Sequence, residues 1–326
     1  MSALSILLWC IIPSITAAAG WYAGRKALRD QDTRAGKAGL DVEPAYAPII
    51  KDPQAELSER LLRALNTDEV ELHYQPKLNA RTSSFSGTEA LFRWERGKGA
   101  AFSTQEIINA AESTGAIREL TLWTFRRAIS DQLQLIDNGI DLIIDINMSG
   151  RLLSDSEFTL QAIEIIKSAP GRIGIEITET AVIEHPKRAL ANLELYSAAG
   201  APVAIDDYGA GLSSLRYLKK IPAQELKIDR EYIKDLVHSH RDPMIVRSTI
   251  DLAHALDLKV TAEGVDCPMK LALLKVMGCD FLQGFHIARP MPLAGLIAFM
   301  NDIEMQKSIA NPELSLLPSS RTGTSD

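Results

Sequence analysis

Two adjacent carboxylates, Asp206 and Asp207, close an apolar run in the stretch VAIDDYGAGLSSL, residues 203–215. At the end of a buried strand two neighbouring like charges repel unless a positive group lies between or beside them. A metal ion would meet that need. An Asp at a helix start also serves as an N-cap, because its oxygen accepts an orphan backbone N–H, but a cap uses only one carboxylate. Similar polar residues fall near the ends of other short apolar runs: Gln75, Glu89, Asn147, Glu176, Lys227, Glu263 and Gln283. With the Asp pair these amount to five carboxylates and one Asn amide oxygen, a donor set suited to a hard cation such as Mg²⁺ or Mn²⁺. Lys227 adds a candidate proton handler or phosphate neutraliser.

The runs that would carry these residues are VELHYQP (70–76), SGTEALFRW (86–94), DLIIDINMSG (141–150) and RIGIEITET (172–180). APVAIDDYG (201–209), AQELKIDR (223–230), LKVTAEGV (258–265) and CDFLQGF (279–285) complete a set of eight. Amphipathic stretches such as TLWTFRRAISDQLQLI lie between most of them, with apolar residues at helical spacing. Stripes such as Leu133, Ile136 and Ile140 read as core. Alternation of strand and helix over this length predicts an α/β chain forming a (β/α)₈ barrel. In a barrel the C-terminal strand ends meet at one face, where loops build the active site. A doubly wound open sheet would want a GxGxxG at its first strand-to-helix turn, and none is present.

Composition narrows the chemistry. The chain has 326 residues, 46% hydrophobic and 24% charged, as a globular protein does. A net charge of -7 excludes broad coating of nucleic acid, which needs a basic face. Cys10, Cys267 and Cys279 form no CxxC pair and the six histidines no HExxH, so neither a thiolate nor a zincin-type site is written here.

TEALFRW resembles the signature of the EAL domain family, the cyclic-di-GMP phosphodiesterases. The ordered set EALxRW, NxS, ExTE, DDxGxGxSS, KID, AEG and QG extends that resemblance over residues 55 to about 306. It implies a TIM-like barrel whose first strand runs antiparallel to the rest, and hydrolysis of cyclic-di-GMP to linear pGpG with two divalent cations, Mg²⁺ or Mn²⁺. It further implies that Glu89, Asn147, Glu176 and Asp206 hold one metal, with Asp206 bridging to a second that Asp207 also holds. Lys227 and Glu263 match the catalytic residues around the attacking water, which of them is the base being open. Gln75, Leu91, Arg93 and Gln283 match substrate-binding positions, and Glu179 matches the glutamate that ties down the loop after Asp207. A first-turn helix carboxylate is the competing reading of Glu179. Asp229 stands between a role behind the metal ligands and a surface position.

The chain departs from the family pattern at Tyr208, Ala210 and Leu212, where Phe, Thr and Tyr are usual, and at Asp266, where Glu is usual. None of these is a metal ligand. No GGDEF-like cyclase signature is present. The runner-up function is a catalytically idle EAL domain acting as a dinucleotide-binding or protein-interaction effector. Retention of every metal and catalytic position favours the enzyme.

Residues 2–24, SALSILLWCIIPSITAAAGWYAG, carry no charged side chain and are long enough to cross a bilayer. Arg25, Lys26, Arg29, Arg34 and Lys37 follow, whereas a secretory signal would place its positive charges first. The expectation is a transmembrane anchor at 1–24, a linker at 25–54, the EAL domain at 55–306 and a disordered tail at 307–326. Positive flanking residues stay inside, so a single-pass protein of the bacterial inner membrane with a cytoplasmic catalytic domain is expected. A homodimer is the expected assembly, by resemblance.

Overall fold

The computed structural model describes residues 52–94, 102–182, 185–209 and 218–310. Among the described residues nine strands lie in one sheet: β1 (Val70–Asn79), β2 (Phe85–Trp94), β3 (Ile143–Met148), β4 (Ile173–Thr178), β5 (Val203–Tyr208), β6 (Glu225–Ile228), β7 (Lys259–Ala262), β8 (Phe281–Leu282) and β9 (Met291–Pro292). Neighbours run β2-β3-β4-β5-β6-β7-β8-β1-β9, and β1 also pairs with β2, which closes eight strands into a barrel. Pairings from β2 through β8 are parallel, while β1 is antiparallel to all three of its partners, β2, β8 and β9. The barrel and its reversed first strand are as the sequence and the resemblance predict. The eight predicted runs match the eight barrel strands in order, although β1 continues three residues past its run to Asn79 and β2 begins one residue earlier at Phe85; β9 is an addition at the edge.

Period-two alternation explains how the strands build two environments. In β3 and β4, Ile144, Ile146, Ile173, Ile175 and Ile177 are buried, on the side away from Asp145, Asn147 and Glu176. Burying one such side chain contributes roughly 1.5–3 kcal/mol, so the outer strand faces and the helices over them hold the barrel together. The inner face of these two strands is different: it carries Asp145, Asn147 and Glu176.

The helices start where side chains can satisfy their first N–H groups. Ser103 and Glu106 form a reciprocal capping box on the helix Thr104–Thr114, which ends at Gly115 with φ 86°. Asp52 accepts from Gln54 N–H ahead of the helix Pro53–Ala64, so this helix begins inside the stretch read as linker. At the other end the helix Leu293–Ala310 runs past residue 306.

The stripe Leu133, Ile136 and Ile140 is a correction. Leu133 and Ile136 are 51% and 37% exposed, and only Ile140 is buried. The helix Ile117–Asp137 instead buries Asp131 and Gln132 beside Leu135. Each polar group has a partner: Tyr74 Oη donates to Asp131 Oδ2 at 2.6 Å, and Gln132 Nε2 donates to the Arg172 carbonyl at 2.8 Å. Among the described residues no helix is long and apolar enough to cross a membrane. The expected anchor (1–24), nearly all of the linker (25–54) and most of the tail (307–326) lie outside the described residues.

Candidate active site

At the C-terminal ends of the parallel strands the inward side chains converge on one ammonium. Lys227 Nζ lies 2.6 Å from Glu176 Oε2, 2.7 Å from Glu263 Oε1, 3.1 Å from Asp206 Oδ1 and 3.5 Å from Glu89 Oε2. Its side chain is fully buried. Burial alone would push the proton off, but the four carboxylates outweigh it and hold Lys227 well above the usual lysine range. Lys227 is therefore held as an ammonium among these acids.

Glu89 is held from two sides. Asn147 Nδ2 donates to its Oε1 at 2.7 Å and Gln283 Nε2 to its Oε2 at 2.7 Å. Gln283 Nε2 also donates to Gln75 Oε1 at 3.1 Å, and Gln75 Nε2 reaches the Ala288 carbonyl at 3.0 Å. Two acceptors thus fix the Gln283 amide, leaving its Oε1 buried with no partner. Gln75 enters this network from the middle of β1, where register places it opposite Glu89. The reversed strand delivers it sideways rather than from a C-terminal end.

Four acids surround one ammonium, so negative charge is in excess. Burial, followed by the charges of Glu176, Glu263 and Glu89, raises the Asp206 carboxyl well above its ordinary range despite Lys227. Burial likewise raises Glu263, with Glu89 and Glu176 adding to it. Glu176 goes the other way: burial pushes it up, but Lys227 and Lys77 hold it at about 2. Asp207 lies at the edge, exposed, in the left-handed region at φ 54°. Its N–H donates to Asp206 Oδ1 at 3.0 Å, and the partial desolvation of its carboxyl, together with the charge of Asp229, raises that carboxyl above its ordinary range. Asp229 also accepts from Glu231 N–H at the start of the helix Arg230–Lys234, so it serves both Asp207 and a cap.

The loop after Asp207 is tied at its first step. Gly209 N–H meets Glu179 Oε2 at 3.4 Å, and Tyr232 Oη donates to the Gly209 carbonyl at 2.6 Å. Glu179 opens the 3₁₀ turn Glu179–Val182, so the anchor and first-turn readings describe one residue. Residues 210–217, with Ala210 and Leu212, lie outside the described residues.

A cavity of about 570 Å³ opens over the network. Gln75, Glu89, Leu91, Asp206, Glu263 and Gln283 line it, with Phe285 and Arg230 on its outer wall. Arg93 is not in that lining; its Nη1 donates to the Phe92 carbonyl at 2.8 Å. The Asp266 carboxylate, at the other departure from the pattern, pairs with Lys270 at 2.8 Å.

The EAL domain description matches residues 58–290. The chain belongs to the EAL domain family. Relatives of this EAL domain include the bifunctional diguanylate cyclase/cyclic di-GMP phosphodiesterase MucR of Pseudomonas aeruginosa, 35% identical over 253 residues, 75% of this chain and 36% of that one. Cyclic di-GMP phosphodiesterase PdeR of Escherichia coli is 34% identical over 242 residues, 72% of this chain and 36% of that one. The chain spans about a third of the length of the curated relatives it matches. Among solved structures, the MucR phosphodiesterase in complex with c-di-GMP matches with a TM-score of 0.69 and 35% identity, over 74% of this chain and 99% of that one. The EAL domain of Mycobacterium smegmatis DcpA matches with a TM-score of 0.60 and 29% identity, over 71% and 96%.

Three ionisable residues of this EAL domain escape a reading based on strand ends. Lys77, Asp145 and Glu225 are inward-facing neighbours, two residues along from Gln75, Asn147 and Lys227, and they meet one layer deeper in the barrel. The signal was the period of two itself, carried one step inward along each strand.

Proposed function

We propose that this EAL domain hydrolyses cyclic-di-GMP to linear pGpG. The observation that carries the reading is the set of Glu89, Glu176, Asp206 and Glu263 around Lys227 beneath an open cavity. The family membership and the c-di-GMP complex of the MucR phosphodiesterase support it.

The residues fit divalent cations. Every donor is a hard oxygen, the acids outnumber the ammonium, and the raised Asp206 and Glu263 carboxyls mark negative charge that a cation would relieve. Among the described residues no three His, Cys, Asp or Glu groups already form a metal cage. The Lys227 ammonium occupies the centre instead, at hydrogen-bonding distance from Glu176, Glu263 and Asp206. Glu89, Asn147, Glu176 and Asp206 would hold one Mg²⁺ or Mn²⁺, and Asp206 with Asp207 a second. When bound, such ions acidify a water and neutralise the scissile phosphate.

The chain's own groups do the rest. Lys227, locked as an ammonium, compensates charge at the reacting phosphate. Glu263 lies 2.7 Å from it on the cavity wall and is the better proton acceptor of the two. Water adds to phosphorus, the bond to the ribose 3′ oxygen breaks, and the ring opens to pGpG. Gln75, Leu91 and Gln283 face the ligand from the cavity wall, and Arg93 is a further substrate-binding candidate on the same strand as Leu91.

Residues 2–24 and the basic flank support a single-pass anchor in the inner membrane with the barrel in the cytoplasm. A homodimer completes the proposal. The exposed apolar residues Met244 and Ile245 on the helix Asp242–His254 supply surface for one.

The test is incubation of the full chain with cyclic-di-GMP and Mg²⁺, followed by chromatography. Formation of pGpG is expected. Binding of the dinucleotide without cleavage would replace the enzyme with the effector reading.

A further inference from the structure

Below the reaction site lies a second buried ionic layer. Lys77 Nζ is 2.7 Å from Asp145 Oδ2, 2.8 Å from Glu176 Oε1 and 3.1 Å from Glu225 Oε1. Glu225 Oε1 also accepts from Thr261 Oγ1 at 2.7 Å. The Lys77 side chain is only 3% exposed.

A layer of this kind is a poor way to stabilise a barrel. Interior positions of a (β/α)₈ barrel are ordinarily filled by branched apolar side chains. Taking ions out of water costs several kcal/mol each, and apolar replacements of equal volume are often as stable or more so. The backbone has also been shaped around this pair: a Cβ at Gly174 would collide with Asp145 Oδ1. Gly174 sits opposite Asp145 in the β3–β4 register and two residues before Glu176.

What the layer does is visible at Glu176. Its Oε1 faces down to Lys77 at 2.8 Å, and its Oε2 faces up to Lys227 at 2.6 Å. A carboxylate gripped by a fixed ammonium at one oxygen cannot rotate freely, and it offers only the other to the site. Asp145 and Glu225 in turn hold Lys77. We propose that Lys77 is a positioning residue which, anchored by Asp145 and Glu225, presents Glu176 Oε2 to Lys227 and to the cation site. Its catalytic meaning rests on the phosphodiesterase reading above.

Two variants test this. Lys77→Met with Asp145→Asn removes one charge of each sign, and Gly174→Ala leaves every charge in place but pushes Asp145 aside. Circular dichroism establishes the fold, Mn²⁺ titration calorimetry reads the metal site without turnover, and steady-state kinetics separates kcat from KM. Groups behind a metal ligand typically change affinity or activity about 10–100-fold. The double variant should bind Mn²⁺ about tenfold more weakly and lose kcat by about tenfold, with KM for cyclic-di-GMP nearly unchanged. Gly174→Ala should move both in the same direction by less, and it carries the test if the double variant does not fold. Folded variants with wild-type Mn²⁺ affinity and kcat would overturn the proposal. A wild-type chain that neither binds Mn²⁺ nor cleaves cyclic-di-GMP would instead defeat the phosphodiesterase reading. Positioning is then judged from crystal structures of the two chains. Glu176 should leave Lys227 in the double variant, and an unmoved carboxylate would overturn the inference.

Discussion

Lys227 Nζ and Glu176 Oε2 are 2.6 Å apart, both fully buried, and each is the nearest partner of the other across the barrel axis side of β4 and β6. Around this pair Asp206, Glu263 and Glu89 add further negative charge. Lys227→Met would leave those acids without their central cation. Removing one member of a buried ion pair costs roughly 3–5 kcal/mol, so the metal-free variant should melt well below wild type. Mg²⁺ should then raise its melting temperature more than that of wild type, while turnover is lost. Retained turnover in a folded Lys227→Met variant would contradict the assigned role.

Glu89 accepts from the Asn147 amide on Oε1, and from the Gln283 amide and more distantly Lys227 on Oε2. Glu89→Gln keeps the shape but turns one acceptor into a donor, which then faces an amide NH₂. A buried polar group left unpaired in this way costs about 1–3 kcal/mol. The variant should remain folded with a lowered melting temperature. It should lose at least about a hundredfold in kcat, because a charged oxygen donor to the cation is gone. Wild-type rates by chromatography would remove Glu89 from the metal site.

Much of this architecture was legible in the chain. The polar residues at the strand ends could be picked out because the apolar runs around them are short and regular, and the structure joins Gln75, Glu89, Asn147, Glu176, Asp206, Lys227, Glu263 and Gln283 into one network. Direction was not legible from pattern, because alternation reads the same both ways; the reversal of β1 came from the resemblance. The lower ionic layer was missed because Lys77 and Asp145 sit inside strands, where a charge is ordinarily read as facing solvent. The Leu133–Ile136 stripe failed for a related reason. A helix face is buried by whichever neighbour covers it, and here Tyr74 and the Arg172 carbonyl cover Asp131 and Gln132.

Tyr232 Oη donates to the Gly209 carbonyl at 2.6 Å, two residues beyond the strained Asp207. Tyr232→Phe removes that bond and nothing else from the ring's packing. A hydrogen bond of this kind contributes about 0.5–1.5 kcal/mol, and what it holds here is the start of the loop. The variant should need several times more Mg²⁺ for half-maximal rate, with little change in melting temperature. Gly209→Ala is the harsher form. At φ 102° its Cβ would lie 2.6 Å from the Tyr232 ring, so the loop must shift and activity should fall further. Unaltered metal dependence in both would show that this tether does not govern Asp207.

The far end of the barrel carries a pH-dependent brace. Asp280 Oδ2 lies 2.8 Å from His254 Nε2 and accepts from Val260 N–H at 2.9 Å, while Lys259 Nζ is 3.4 Å from its Oδ1. Burial pushes the Asp280 carboxyl up, but His254, the Val260 N–H and Lys259 together hold it below the ordinary range. A carboxyl with a depressed folded pKa binds its proton less readily than in the unfolded chain. Its stabilisation is therefore fully present above the unfolded value of about 3.9 and fades as pH falls through the lower folded value. Because His254 and Lys259 are largely open to solvent, screening limits the effect to about 1 kcal/mol. Asp280→Asn should lower the melting temperature at neutral pH by roughly 2–4 °C for a domain of this size. Thermal melts of wild type and variant from neutral pH down to about pH 3 check the sign: the gap should narrow as the carboxylate of the wild type takes up its proton. A gap that stays constant over that range would show that the variant acts through packing rather than through charge.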